Sequence, residues 1–243
     1  MSRRRFFVDE VRDGQASIAG EEAKHLTRVL RVEKGERYEL SDNENVYLGE
    51  VSLAHKGEVV FDIVEELPRK PALVPVTLAV ALFKFDHLEW LIEKATELGV
   101  SRIVPVVAVR SERGLDQAAP KRIERWRRIA LEASQQCRRD TLPEIELPVK
   151  LPELFQMDAP LRLLLDEEAM PEASMFEAVP AGGASEIILA LGPEGGWTPG
   201  EREQFVAAGW KKVSLGSLIL RAETAGIAAL SVLRAVLQQQ GQK

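Results

Sequence analysis

The chain has one cysteine, Cys137, in 243 residues. A single thiol excludes an intrachain disulfide framework and fits a reducing compartment, so a cytoplasmic protein is expected. Histidine is scarce too. His25, His55 and His87 stand far apart without metal-ligand spacing, so no metal site is expected. No apolar run approaches the roughly 20 residues that span a bilayer, and no membrane partner is expected. The start, MSRRRFFVDE, carries basic residues but no apolar stretch of secretory length. Two glycine signatures are also missing: neither G-x-G-x-x-G nor G-x-x-x-x-G-K-[ST] occurs. The usual dinucleotide and P-loop phosphate sites are thereby excluded.

What remains is an ordinary globular composition, 45% apolar and 29% charged. The net charge of −6 argues against nucleic acid as a whole, but its distribution matters more than its sum. Residues 1–70 sum to −3, residues 71–150 to +2 and residues 151–243 to −5. Between Arg110 and Arg139 nine basic residues face four acidic ones. Such a run is more often a solvated helix face, yet it also supplies what a local phosphate-binding surface requires.

Two patterns divide the chain. Up to residue 70, short alternating strands are broken at EKGE, DNEN and HKGE, which predicts a small β-barrel or compact sheet. One early helix is expected there, with Ala23, Leu26, Val29 and Leu30 inward. LPRKPALVP, with three prolines in nine residues, reads as a linker. From residue 71 to 243, apolar strands (VTLAVAL, RIVPVVAV, LRLLLD, EIILAL, KKVSL) alternate with amphipathic helices. That order predicts an α/β domain with a largely parallel sheet. Asp86 and Glu89 fit a capping box at the first of these helices. A later helix led by Pro120 turns Ile123, Trp126, Ala130 and Ala133 inward, and the last aligns Ile227, Leu230, Leu233 and Leu237.

Ligands of open α/β sheets sit at the carboxyl ends of the strands. LGPEGGW leaves one such end and LGSLILRAETAG another, so the two loops could wall one pocket. Gly192, Gly195, Gly196 and Gly216 permit positive φ and close backbone approach. Thr198, Pro199 and Glu201 spell a capped helix start. Glu194 would repel a pyrophosphate, so a neutral or cationic ligand such as S-adenosylmethionine fits better. A tight turn before a well-capped helix is the competing reading of the same residues.

LGPEGGWTPGEREQF followed by LGSLILRAETAGIAAL resembles the SPOUT superfamily, and within it the RsmE family of small-subunit ribosomal RNA uridine-N3 methyltransferases. HLTRVLRVEKGE, KFDHLEWLIEKATELGV, IVPVVAVRSER and LEASQQCRRDTLPEI extend the likeness over essentially the whole chain. The resemblance implies a PUA-like RNA-binding β-domain at residues 1–70. It implies a trefoil-knotted, S-adenosylmethionine-binding α/β domain at residues 71–243. It further implies a homodimer acting on 16S rRNA, free or in the assembled 30S subunit, at a uridine near the decoding region.

Carried over by position, Leu191, Gly192, Glu194, Gly195 and Gly196 would form one cofactor loop. Leu215, Gly216, Ser217, Ile219 and Leu220 would form the other. Where the family commonly has a glutamate this chain has Gln135, which removes a carboxylate base there. Arg139 is retained and is expected to meet the target nucleotide, at its uracil oxygens or its phosphate, with structural packing or pairing as the alternative. Arg3, Arg4, Arg5, Arg113, Arg138 and Arg221 are further RNA-contact candidates, each with structural packing or pairing as the alternative. Glu194 and Glu223 are the carboxylates placed to take a proton from N3, although Glu223 could instead pair with an arginine at its helix start. N3 lies on the pairing edge of the base, so the uridine must be unpaired or flipped out. Ring-nitrogen attack needs no covalent cysteine, and Cys137 is expected to be a small, partly buried residue. Rival functions are ribose 2′-O-methylation on the same cofactor loops, or a non-catalytic RNA-binding assembly factor.

Overall fold

The computed structural model describes residues 4–169, 173–180 and 183–241. The chain divides into two compact units, one reaching to Ala72 and including Leu131–Leu142, the other made of Leu73–Ala130 and the chain from Pro143 on.

The first unit holds β1 (Arg5–Phe7), β2 (Gln15–Ala19), α1 (Gly20–Arg28), β3 (Arg37–Ser41), β4 (Val46–His55) and β5 (Glu58–Leu67). Its curled five-stranded sheet runs in the order β1-β3-β4-β5-β2, antiparallel except for the β1–β3 pair. Gly14, Gly35 and Asn43 take positive φ in the connections. Phe6, Phe61, Leu40, Ile18 and Leu26 are buried in one core. Helix α1 departs from expectation. It ends at Arg28, leaving Val29 and Leu30 outside it, and Val29 is 64% exposed. Only Ala23 and Leu26 of the four expected residues are fully buried, because one short helix offers the sheet a single narrow stripe.

The second unit begins with β6 (Val76–Ala81), α2 (Phe85–Glu97), β7 (Arg102–Val107) and α3 (Leu115–Ala118). A 3₁₀ turn over Ala119–Arg122 leads into α4 (Ile123–Cys137), which belongs to the first unit from Leu131 on, then β8 (Glu144–Ile145), β9 (Val149–Lys150) and α5 (Leu151–Leu154). After these come β10 (Leu161–Leu165), α6 (Met175–Ala178), β11 (Ile187–Leu191), α7 (Pro199–Ala207), β12 (Lys211–Val213) and α8 (Ala222–Gly241). Seven parallel strands form one sheet in the order β12-β10-β11-β6-β7-β8, with β9 also on β7.

Central strands of such a sheet are covered on both faces, which is why they read as unbroken apolar runs. β6 and β11 are buried at every position. Their larger side chains, Val76, Leu78, Val80, Ile187 and Leu189, face a core closed by Leu88, Leu91, Leu230 and Leu233. Their alanines, Ala79, Ala81 and Ala190, face the opposite core. Small residues there make room for Trp197, Phe205, Trp210 and Phe155, whose rings meet edge to face at 4.8–5.1 Å along the Trp197–Phe205–Trp210 chain. The inward residues expected on α4 are buried: Ile123, Trp126, Ala130 and Ala133.

The expected capping box at Asp86 is absent. Helix α2 starts at Phe85 with Lys84 as N-cap, and Asp86 lies inside the first turn. The chain turns into the helix soon after leaving β6, and Asp86 there complements the helix dipole instead of capping it.

Candidate active site

The strand order reverses between β6 and β11: the chain continues from β6 to β7 on one side, while β10 flanks β11 on the other. Loops leaving carboxyl ends at such a switch point diverge and open a crevice. A cleft of about 640 Å³ lies there, in the size range of small-molecule sites. Its walls come from the segments after β6, β10, β11 and β12, and from the start of α8. Every residue expected to hold the cofactor lines this cleft except Ser217, which is exposed on the same loop.

The glycines act in two different ways. Gly196 (φ +68°) and Gly216 (φ +119°) occupy left-handed backbone. Gly192 and Gly195 do not, contrary to expectation, and they are small for packing reasons. A Cβ on Gly192 would stand 3.0 Å from the buried Trp197 indole nitrogen, and one on Gly195 3.3 Å from the Arg110 side chain. The turn closes through the Gly196 amide donating to the Pro193 carbonyl at 2.8 Å, which places Glu194 at its tip.

Neighbouring elements hold that turn in place. Arg110, in the loop after β7, donates to the Gly195 carbonyl at 2.8 Å. The Thr198–Glu201 capping box at α7 is formed as expected. The Glu201 carboxylate is only 2% exposed and serves more than the cap, since it also accepts from the Val109 amide at 2.8 Å. Arg202 ties α7 to the strand end of β10 through Asp166 at 2.9 Å and Glu167 at 2.8 Å. Lys212 adds a second cation 3.3 Å from Asp166.

A side-chain cluster at this cleft was not foreseen in the sequence. His87, in the first turn of α2, places Nδ1 3.5 Å from Glu194 Oε1 and 3.8 Å from Glu223 Oε2. His87 Nδ1 and Glu223 Oε2 are both buried and make no hydrogen bond. The sequence reading preferred an arginine partner for Glu223; among the described residues its ion-pair partner is His87. Asp166, Glu167 and Lys84 also line the cleft unforeseen. The signal was available, because all four follow the carboxyl ends of β6 or β10, where ligands of such sheets gather. Among the described residues no group of three or more His, Cys, Asp or Glu side chains is arranged to hold a metal ion.

The arginines fall into separate classes. Arg3 lies outside the described residues. Arg4 and Arg113 are exposed, and Arg221 is exposed on the cleft wall. Arg5 corrects the sequence reading. It is buried in the first unit, paired with Glu39 at 2.8 Å and with Asp140, so its charge is already committed. Arg138 pairs with the same Glu39 and donates at 3.2 Å through Nε, from a left-handed backbone at φ +57°. Arg139 donates through Nε to the Thr141 carbonyl at 2.9 Å. Burial pulls its pKa below the ordinary arginine value. Gln135 donates to Glu22 at 2.7 Å in the first unit, and Cys137 is partly buried. The second unit contains the cleft and Glu194, whereas Arg139 belongs to the first.

A parallel α/β sheet with paired glycine loops at its switch point, joined to a curled antiparallel sheet, defines a SPOUT-type RNA methyltransferase with a PUA-like domain. Residues 69–234 match the family model described as RNA methyltransferase domain, and residues 18–64 match the RNA methyltransferase PUA domain. The chain is 34% identical over 239 residues to ribosomal RNA small subunit methyltransferase E of Synechocystis, covering 95% of this chain and 76% of that protein. Among solved structures, the putative methyltransferase Lpg2936 of Legionella pneumophila, in complex with S-adenosylmethionine, superposes with a TM-score of 0.86. It is 29% identical, with 97% of this chain and 98% of that one covered. The ribosomal RNA small subunit methyltransferase E of Neisseria gonorrhoeae, bound to S-adenosylmethionine, gives 0.85 at 27% identity, covering 96% and 97%. The chain belongs to the RsmE family of RNA methyltransferases.

Proposed function

We propose that this protein methylates N3 of a uridine in 16S rRNA, near the decoding region of the small ribosomal subunit, with S-adenosylmethionine as donor. The observation that carries the cofactor reading is the cleft itself. Both glycine loops line it, and Glu223 Oε2, buried with no hydrogen bond among the described residues, suits a cationic ligand. The named relatives support the choice of small-subunit rRNA. Bound in the cleft, S-adenosylmethionine supplies an electrophilic methyl group on a positively charged sulfur.

The chain's own residues would then have these parts. Backbone groups of the loops after β11 and β12 hold the cofactor, with Arg110 fixing the first loop through Gly195. Uridine N3 is protonated at neutral pH, so it must lose its proton as the methyl arrives. Glu194, 45% exposed at the turn tip, is the carboxylate assigned to accept it. Arg139 is assigned to the uracil oxygens, where a fixed cation stabilises the developing anion. Arg4, Arg113 and Arg221 supply phosphate contacts, and the first unit acts as an RNA-holding domain. The working form is read as a cytoplasmic homodimer.

The test uses unmodified 30S particles and naked 16S rRNA, each incubated with enzyme and S-adenosylmethionine, then digested with nuclease and analysed by mass spectrometry. The expected product is a single base-methylated uridine near the decoding region. A methylated ribose, or no rRNA product, sinks the reading.

A further inference from the structure

The cleft's charges are unevenly satisfied. Asp166 and Glu167 are acidic wall residues already matched by Arg202, and Asp166 also by Lys212. Glu194 and Glu223 have no such fixed cation among their described ion pairs. Both face one imidazole, that of His87. Its other nitrogen, Nε2, lies 3.8 Å from Asp86 Oδ2. Lys84 and Arg221 line the same cleft, and lysine and arginine side chains keep a constant charge across the neutral range. Imidazole is the side chain that ordinarily changes charge there. The wall therefore has two electrostatic states. With His87 neutral, two carboxylates face the cleft with no cation among their described ion pairs. With His87 protonated, one cation lies within 4 Å of both and offsets much of their charge.

The reactants differ in the property such a wall can read. The methyl donor carries a sulfonium, and the demethylated product, S-adenosylhomocysteine, carries a neutral thioether. We propose that His87, Glu194 and Glu223 form a charge-reading wall that favours the cationic donor over the neutral product, with the protonation of His87 setting the strength of that preference. The inference rests on the cofactor reading above and adds to it the residues that expel the product. By linkage, a ligand that binds better to the neutral imidazole must displace its proton, so donor binding releases a proton and product binding does not.

Isothermal titration calorimetry of the full chain with S-adenosylmethionine and S-adenosylhomocysteine, at pH 6 and pH 8 and in buffers of differing ionisation enthalpy, tests this without RNA. At pH 8 the donor is expected to bind more tightly than the product by roughly tenfold, the size of one screened charge contact across a partly open cleft. At pH 6 the ratio falls toward one. His87→Gln removes the imidazole, so its ratio stays high and flat between the two pH values. Glu223→Gln lowers the ratio at both. Thermal melts establish that each variant is folded, and the wild-type pH series stands without either. A wild-type ratio that does not change with pH overturns the proposal, as does an unchanged pH dependence in folded His87→Gln. Binding of both ligands with no such dependence defeats this inference alone. Failure of S-adenosylmethionine to bind defeats the cofactor reading and the inference together.

Discussion

Gly196, like Gly99, combines two constraints: a left-handed backbone and a neighbour closer than a Cβ tolerates. Its φ of +68° is strained for any side chain, and a Cβ there would fall 2.3 Å from a Glu167 carboxylate oxygen held by Arg202. Gly200, four residues on, has nothing within 4 Å of its would-be Cβ and lies in the first turn of α7. Gly196→Ala is expected to cost about 1–2 kcal/mol and to weaken S-adenosylmethionine binding. Gly200→Ala should be neutral or slightly stabilising, because it restricts only the unfolded chain. Urea denaturation of both variants checks this, and equal stabilities would refute it. Glu22 offers a second residue-scale prediction, in pH. Burial raises its pKa above the ordinary 4.5, the Gln135 hydrogen bond opposes the rise, and Asp9 adds to it. The folded protein then holds that proton more tightly than the unfolded chain does, so this carboxyl's contribution to stability falls as pH rises past 4.5. Glu22→Gln keeps an acceptor for Gln135 and removes the titration. Its melting temperature relative to wild type should rise between pH 4 and pH 7; a constant difference would show that Glu22 does not titrate differently on folding.

The start of helix α7 was legible from sequence to the residue, because a Thr-Pro-Gly-Glu start satisfies its own orphan amides locally. Strands β6, β10 and β11 were legible for a similar reason, since burial on both faces leaves mostly apolar residues, with Thr77 and Arg162 the polar exceptions. Elements whose limits depend on remote partners were not. The start of α2 is set by how the chain leaves β6, and the ion pairing of His87 needs residues from the β11 loop and from α8. Arg5 looked like part of a basic terminus until Glu39 and Asp140 folded against it. The knot implied by resemblance is a matter of threading, which no periodicity carries. The double use of Glu201 was likewise hidden, and it makes a prediction. Thr198→Ala removes one cap interaction and should cost about 1 kcal/mol. Glu201→Gln leaves one amide hydrogen facing either Val109 or Thr198 as donor against donor. It should cost more, about 2–3 kcal/mol, as hydrogen bonds to a buried charge do. Chemical denaturation that ranks Thr198→Ala as the more damaging change would disprove the claim that this carboxylate links α7 to the loop after β7.

At the scale of the whole molecule, a chain of net charge −6 must bind a polyanion through a local surface. The run from Arg110 to Arg139 does not act as one block. Arg122 and Arg125 share Glu89 at 3.4 and 2.7 Å, and Arg127 pairs with Glu124 at 2.8 Å, yet Arg125 remains 61% exposed. Arg113 is exposed in the loop before α3. Such half-compensated arginines can exchange a surface carboxylate for a phosphate at little cost, because exposed ion pairs are worth only about 0–1 kcal/mol. Binding by phosphate neutralisation releases counterions, so the affinity for 16S rRNA should fall steeply with salt. Replacing Arg113 and Arg125 together by alanine should reduce the slope of log affinity against log salt by about 1–2 if each meets a phosphate. Arg5→Ala is the informative control, because its guanidinium is buried between Glu39 and Asp140. That change should lower the melting temperature and leave the salt slope of the folded fraction unaltered. Filter-binding titrations between 50 and 300 mM salt, run beside thermal melts, separate the two effects. An unaltered slope in the double variant would place the RNA surface elsewhere, and a reduced slope in Arg5→Ala would show that a buried, paired arginine still feels the phosphates.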